Sequence, residues 1–169
     1  LVTGASSGLG RLIAETLAAK GYQVFAGARK QADLDALNTI NNIDAVRLDV
    51  TIQSEIDAAV EWVKRQGSLH AIVNNAGVGM MGPLIELEAK DLDFVLGVNV
   101  YGPFRITKAF APLLIESKGR VVNIGSISGF QTRGFYGAYS MSKHAVEAYT
   151  DALAIELAKF DVNVSIIDP

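Results

Sequence analysis

The chain contains no cysteine. Disulfides, thiol nucleophiles and cysteine zinc sites are excluded, and a reducing, cytoplasmic setting is the expected location. Histidine is nearly as scarce, with two residues, His70 and His144, so no metal site is expected. Basic residues are not in excess: 15 Lys+Arg stand against 18 Asp+Glu, a net charge of −3. No positive stripe can neutralise a phosphate backbone, which argues against nucleic acid as a partner. Long hydrophobic runs are missing too. The longest stretch free of Asp, Glu, Lys and Arg, residues 66–85, is interrupted by two Asn, four Gly and a Pro, so it is no membrane span. A signal-peptide pattern is also absent.

What is present is a core-rich chain. Its 169 residues correspond to about one domain, and a globule of that length buries roughly 68–70% of its unfolded surface. Apolar residues make up 50% and charged residues 20%, the profile of a folded domain. The chain starts at Leu1 rather than Met, and Pro169 follows directly on an apolar run, so both ends are expected to be cut close to strands.

Short β-branched runs alternate with amphipathic stretches. The strand candidates are Leu1–Val2, Tyr22–Ala28, Ile43–Asp49, Leu69–Asn74, Arg120–Ile124 and Val162–Ile167. Leu9, Ile13 and Leu17 recur every fourth residue, and Ile56, Ala59, Val60 and Val63 follow the pattern of a helix with one buried face. Gly21 stands where a glycine would end the first helix, and Thr51 or Ser54 is expected to cap a later one. Nearly continuous apolar strands separated by helices specify a doubly wound α/β parallel sheet, covered on both faces, over residues 1–169.

Between the first strand and first helix lies Thr3-Gly4-Ala5-Ser6-Ser7-Gly8-Leu9-Gly10. A strand, a tight glycine turn and a helix N-terminus together make an anion site, because free N–H groups and the positive dipole end face the ligand. A Walker A loop is excluded, since Leu9 stands where its second Gly would be. The G-x-G-x-x-G fingerprint fails at Ile13. The competing explanation is a turn that merely reverses the chain. At the end of the second strand, Gly27-Ala28-Arg29 lacks the acid that would hold the ribose 2′-OH of NAD. Arg29 could instead pair with a 2′-phosphate through its planar fork, which favours NADP(H) over NAD(H).

Further along, Tyr139 and Lys143 are four residues apart in a helical pattern, so their side chains share a face. A phenol is a poor base near neutrality, and a neighbouring ammonium favours the phenolate. The strand at 120–124 runs into Gly125-Ser126-Ile127-Ser128-Gly129. A hydrolase elbow, G-x-S-x-G, would need Ser at Ile127, so hydrolysis fits poorly. Ser126 or Ser128, at the C-terminal end of a strand, is placed to hydrogen-bond a substrate oxygen.

With these pieces in order the chain resembles the short-chain dehydrogenase/reductase family, in the subtype with a T-G-x-x-x-G-x-G loop. The resemblance runs through Thr3–Gly10, Asp49-Val50, Asn74-Asn75-Ala76-Gly77, Asn99 and the Tyr139/Lys143 pair. It also selects Ser126 over Ser128 by its interval to Tyr139. The resemblance implies a Rossmann-like fold and hydride transfer between a nicotinamide and a carbonyl or alcohol carbon. It gives catalytic roles to Asn99, Ser126, Tyr139 and Lys143. It assigns cofactor contacts to Gly4, Ser6, Ser7, Gly8, Leu9, Gly10, Arg29, Asp49, Val50, Asn75, Ala76 and Gly77, with Tyr139 and Lys143 again. Asn99 would support a water that links Lys143 to solvent. The family's substrate lid would follow Pro169, and members commonly form homodimers or homotetramers through the helix after Asn99 and the helix bearing Tyr139. Val78, Met80, Met81, Phe130, Phe135 and Tyr136 suggest a hydrophobic substrate, of steroid, retinoid or aliphatic kind. Two other functions compete: a cofactor-sensing regulator without turnover, and a nucleotide-sugar epimerase or dehydratase, whose loop spacing differs from Gly4, Gly8 and Gly10.

Overall fold

A computed structural model describes residues 1–169. Its elements run α1 (Gly8–Ala19), β1 (Val24–Ala28), α2 (Gln31–Leu37), β2 (Ile43–Arg47), α3 (Gln53–Gln66) and β3 (Ala71–Asn74). They continue with α4 (Ala89–Asn99), α5 (Tyr101–Ser117), β4 (Arg120–Ile124), a 3₁₀ turn (Ile127–Gly129), α6 (Gly137–Ala158) and β5 (Asn163–Ile167). Every ladder is parallel: β1 pairs with β2, β3 with β4, and β4 with β5.

The expected first strand, Leu1–Val2, is reduced to two bridges, Val2 to Ala26 and Val2 to Val73. It nevertheless stitches the sheet together. Val2 N–H donates to Phe25 O at 2.8 Å and Thr3 N–H to Val73 O at 3.0 Å. The order across the sheet is therefore β2, β1, Leu1–Thr3, β3, β4, β5. The ladder goes no further because the chain turns away at Gly4, whose φ is +64°. Parallel strands need helical crossovers, and these cover both faces. One apolar cluster gathers Ile56, Val63, Ile72, Ile106, Phe110 and Leu114; the other gathers Ala14, Ala18, Val24, Ala26, Leu34 and Leu37. No helix is long and apolar enough to cross a membrane.

Three sequence expectations need correction. First, α1 does not bury the Leu9 row as its main contact. Its fully buried residues are Gly10, Ala14 and Ala18, and Leu9 is 47% exposed, because small side chains let the helix approach the sheet closely. Second, neither Thr51 nor Ser54 caps α3. The N-cap is Ile52, Ser54 lies inside the helix, and Thr51 instead donates from N and Oγ1 to Asp49 Oδ1 at 2.9 and 2.7 Å. Third, β5 alternates in burial rather than running apolar throughout, with Asn163, Ser165 and Ile167 the more exposed positions. The remaining strands lie within two residues of their expected bounds. Gly21 ends α1 with φ +88°, while Tyr22 N–H reaches back to Leu17 O at 3.1 Å. On α3, Ile56, Ala59 and Val63 are buried.

The core also contains a chain of polar side chains. Asn74 Nδ2 donates to Thr107 Oγ1 at 3.1 Å and to Asn123 Oδ1 at 2.9 Å, and Asn123 Nδ2 donates to Thr150 Oγ1 at 2.8 Å. This ties α5, β3, β4 and α6 at one height, directly below the ends of the strands. Asn123 is 0% exposed. Asn123→Leu should cost about 2–3 kcal/mol, because the buried Asn74 amide and Thr150 hydroxyl each lose a partner. Denaturant unfolding checks this, and an unchanged midpoint would contradict it.

Candidate functional site

The site forms where strand ends release their loops. At Gly4 the left-handed turn brings the backbone against the loop after β3: a Cβ there would stand 2.8 Å from Ala76 Cα. Thr3 locks the two loops together, its Oγ1 accepting from Asn75 N and Ala76 N at 3.0 Å each. Asn75 Nδ2 returns two bonds, to Thr3 O at 3.0 Å and Gly4 O at 3.2 Å. Helix α1 then starts behind Ser7, which makes no side-chain cap bond, so the first-turn N–H groups keep no side-chain partner. An open helix start beside a glycine turn is a seat for a phosphate.

Two clefts meet here. The first, about 370 Å³, is lined by Gly4, Ser6, Ser7, Leu9, Arg29, Asp49, Val50, Asn75, Ala76 and Gly77 among others. The second, about 780 Å³, is lined by Ser126, Tyr139 and Lys143 together with Met80, Met81 and Tyr136. Leu9, Asn75, Gly77 and Val78 belong to both, which makes them one groove along the carboxyl ends of the strands. That is where open α/β sheets bind ligands.

Three predicted residues line neither cleft. Gly8 supplies the turn, with φ +56°. Gly10 packs beneath the loop, where a Cβ would overlap Gly4 O and Asn75 Nδ2. Asn99 is 2% exposed and stands behind the wall. Its Oδ1 accepts from Val78 N at 2.8 Å, while its Nδ2 donates to Val78 O at 2.9 Å and Ser142 Oγ at 3.0 Å. The Asn99 amide thus anchors the Val78 segment to α6 and makes no bond to Lys143. Phe130 and Phe135 also stand apart, 67% and 65% exposed, whereas Val78, Met80, Met81 and Tyr136 face the second cleft.

Tyr139 and Lys143 lie on one face of α6, with Lys143 Nζ 5.7 Å from the Tyr139 ring centroid. Lys143 is 7% exposed, and its ammonium donates to Ile124 O at 2.7 Å. Burial lowers the Lys143 pKa, opposed by the charges of Asp168 and Glu147. Ser126 is held by the turn it starts, its Oγ accepting from Ser128 N at 3.2 Å. Arg29 closes the other end of the groove, 64% exposed, with Nη1 3.8 Å from Asp49 Oδ2. Asp49 Oδ1 is already engaged by Thr51.

Sequence reasoning missed Thr3 and Ser142. Thr3 is the hydroxyl that fastens the two loops. Ser142 donates to Tyr139 O at 2.6 Å and receives from Asn99, and so links α4 to α6. The local signal for both was a hydroxyl beside a motif residue, which is too common to stand out.

The family model described as short chain dehydrogenase matches residues 1–169. Mouse (Mus musculus) retinol dehydrogenase 5 is 39% identical over 99% of this chain and 54% of its own length. An NADPH-dependent 1-acyldihydroxyacetone phosphate reductase of Schizosaccharomyces pombe is 39% identical over 99% of this chain and 57% of its own. A crystal structure of a short-chain dehydrogenase from Streptomyces avermitilis superposes with a TM-score of 0.93 at 38% identity, covering 99% of this chain and 63% of that one. The chain thus spans little more than half the length of these two curated relatives.

Proposed function

The chain belongs to the short-chain dehydrogenase family, and from that premise we propose that it is an NADP(H)-dependent oxidoreductase interconverting a hydrophobic ketone or aldehyde and its alcohol. One observation carries the proposal: Ser126, Tyr139 and Lys143 line a cleft continuous with the groove bordered by the glycine turn, Arg29 and Asp49. The residues present fit that group. The glycine turn leaves backbone room that a Cβ at Gly4 or Gly10 would fill, the uncapped start of α1 offers N–H groups to a pyrophosphate, and Asp49 lies at the groove's far end.

When bound, the nicotinamide supplies the hydride acceptor or donor. The protein's part is to bind, orient and move one proton. Tyr139 gives that proton from its phenol oxygen to the developing alkoxide during reduction, and takes it back during oxidation. The Ser126 hydroxyl donates to the same substrate oxygen, a placed dipole in a partly dry cleft. The Lys143 ammonium stands on the same helix face, 5.7 Å from the Tyr139 ring centroid, and offers donors to ribose hydroxyls. Val78, Met80, Met81 and Tyr136 supply the apolar wall for the substrate. The name of the mouse relative, a retinol dehydrogenase, agrees with a retinoid-like alcohol or aldehyde.

Cofactor choice rests on Arg29. The S. pombe relative is named as NADPH-dependent, and no acid follows β1 here. Arg29→Glu should weaken NADPH binding by about 10–100-fold, the loss of a charge-assisted contact, while NADH binding holds or improves. Fluorescence titration with both nucleotides decides it, and equal weakening of the two would overturn the role.

The whole proposal is tested by titrating NADPH and then assaying turnover on retinoid, steroid and aliphatic carbonyl compounds. Binding together with oxidation of NADPH is the expected result. Binding without any turnover would instead favour a cofactor-sensing regulator.

A further inference from the structure

The face of α6 that carries Tyr139 and Lys143 continues one turn further to Glu147, because residues four apart share a helix face. Glu147 is half-buried there, and its Oε1 is buried without a hydrogen-bond partner. The loop that carries Ser126 lies against it. A Cβ on Gly129 would stand 2.7 Å from Glu147 Oε1 and 3.0 Å from its Cγ. At the opposite end of the same loop, a Cβ on Gly125 would overlap Asp168 Oδ1. Gly125 and Gly129 bracket Ser126, so each end of that loop rests on a carboxyl group. One comes from α6, the other from just beyond β5.

The loop is also the anchor of Lys143, whose ammonium donates to Ile124 O at 2.7 Å, one residue before Gly125. Glu147 and Asp168 thus flank Ser126 from two sides, and their carboxyl groups are close enough to act on each other electrostatically. Burial first, and then the Asp168 charge, raise the Glu147 pKa; Asp151 adds to this and His144 opposes it. Both carboxyls in turn act on the Lys143 ammonium.

We infer that Glu147 is a positioning residue, bracing the Ser126 loop against Asp168 and so fixing where the Ser126 hydroxyl and the Lys143 ammonium stand. The inference rests on the roles proposed for those two groups. Neither glycine can then be replaced freely, and the acid on α6 has a task besides solvation.

The test uses Glu147→Ala, Glu147→Gln, Gly129→Ala and the double variant Gly129→Ala/Glu147→Ala of the purified protein. Glu147→Ala should lower kcat about 10–100-fold, the effect of a small misplacement of reacting groups. Its NADPH Kd should rise by clearly less than kcat falls, since Gly4, Ser7 and Asp49 at the other end of the groove do not touch the pair, whereas Lys143 does. Glu147→Gln keeps the shape and a polar head group against Gly129 and Asp168, so it should recover kcat to within about 3-fold of wild type. Gly129→Ala should lower kcat in the wild-type background yet add nothing to Glu147→Ala, because the clash it creates is with Glu147. If Glu147→Ala fails to fold, Glu147→Leu, equally without a carboxyl group, takes its place. Wild-type kcat in Glu147→Ala, a Glu147→Gln as slow as Glu147→Ala, or an additive Gly129→Ala would each overturn the inference. Thermal melts of the same four proteins read the contact without any turnover: Gly129→Ala should cost about 4 °C in wild type and nearly nothing in the Glu147→Ala background. A wild type inert on every substrate would sink the proposed function while the melts still decide the brace; additive melts would sink the brace.

Discussion

Tyr139→Phe should lose between about 10² and 10⁴ in kcat, the range that a positioned proton donor contributes. At about 1.4 kcal/mol per factor of ten, this is a barrier increase of roughly 3–5 kcal/mol from one oxygen atom. The ring stays, so the packing of α6 and its approach to Lys143 are kept, with Nζ 5.7 Å from the ring centroid in the parent. NADPH binding should therefore remain within a few-fold. The discriminating measurement pairs single-turnover oxidation of NADPH with a fluorescence Kd on the same preparation. Turnover within tenfold of wild type would remove Tyr139 from the chemistry. A parallel collapse of Kd would instead make it a structural support of the groove.

Gly10→Ala should abolish cofactor binding, with Kd raised at least ~100-fold, by pushing the loop above it out of register. The new methyl has nowhere to go. It meets Gly4 O and the Asn75 amide from below, and the Gly4 carbonyl carbon lies 3.0 Å away. Gly4 cannot retreat, because Ala76 Cα already stands 2.8 Å from where its own Cβ would be. Asn75 cannot turn aside without breaking its bonds to Thr3 O and Gly4 O, at 3.0 and 3.2 Å. Overpacking of this kind costs about 1–3 kcal/mol, which at this size lowers Tm by some 2–4 °C per kcal/mol. Gly8→Asn is the contrasting variant: φ is +56°, but nothing lies within 4 Å of its Cβ, and Asn tolerates that backbone region. It should bind NADPH far better than Gly10→Ala. Calorimetry and isothermal titration on the two proteins separate steric intrusion from general sensitivity of the loop. Equal effects would show that backbone conformation, rather than space, governs the turn.

Much of this site can be read from the chain because its parts are local. The strand at Arg120–Ile124 has the bounds its apolar run suggested. The buried face of α3 follows from the spacing of Ile56, Ala59 and Val63. The Tyr139 and Lys143 pair needs nothing beyond helical periodicity. The misreadings are equally physical. Leu9 fits an apolar stripe but faces the groove, because Ala14 and Ala18 give a closer seat on the sheet. Thr51 looks like a helix cap, yet its hydroxyl is taken by Asp49.

Sequence alone determined the alternation of strands and helices, the glycine turn, the tyrosine and lysine on one helix face, and the missing acid after β1. Each of these is set by residues within a few positions of one another, where propensity and periodicity act. The tertiary structure decided which of them share a groove. Thr3 reaches Asn75 and Ala76 across 72 and 73 residues, Asn99 reaches Ser142 across 43, and Asn123 joins Asn74 across 49. No local preference encodes such pairings, because they arise when buried polar groups must find partners wherever the sheet brings them together. The contact of Glu147 and Asp168 with the glycines around Ser126 is of that second kind, and it came into view when the strands were in place.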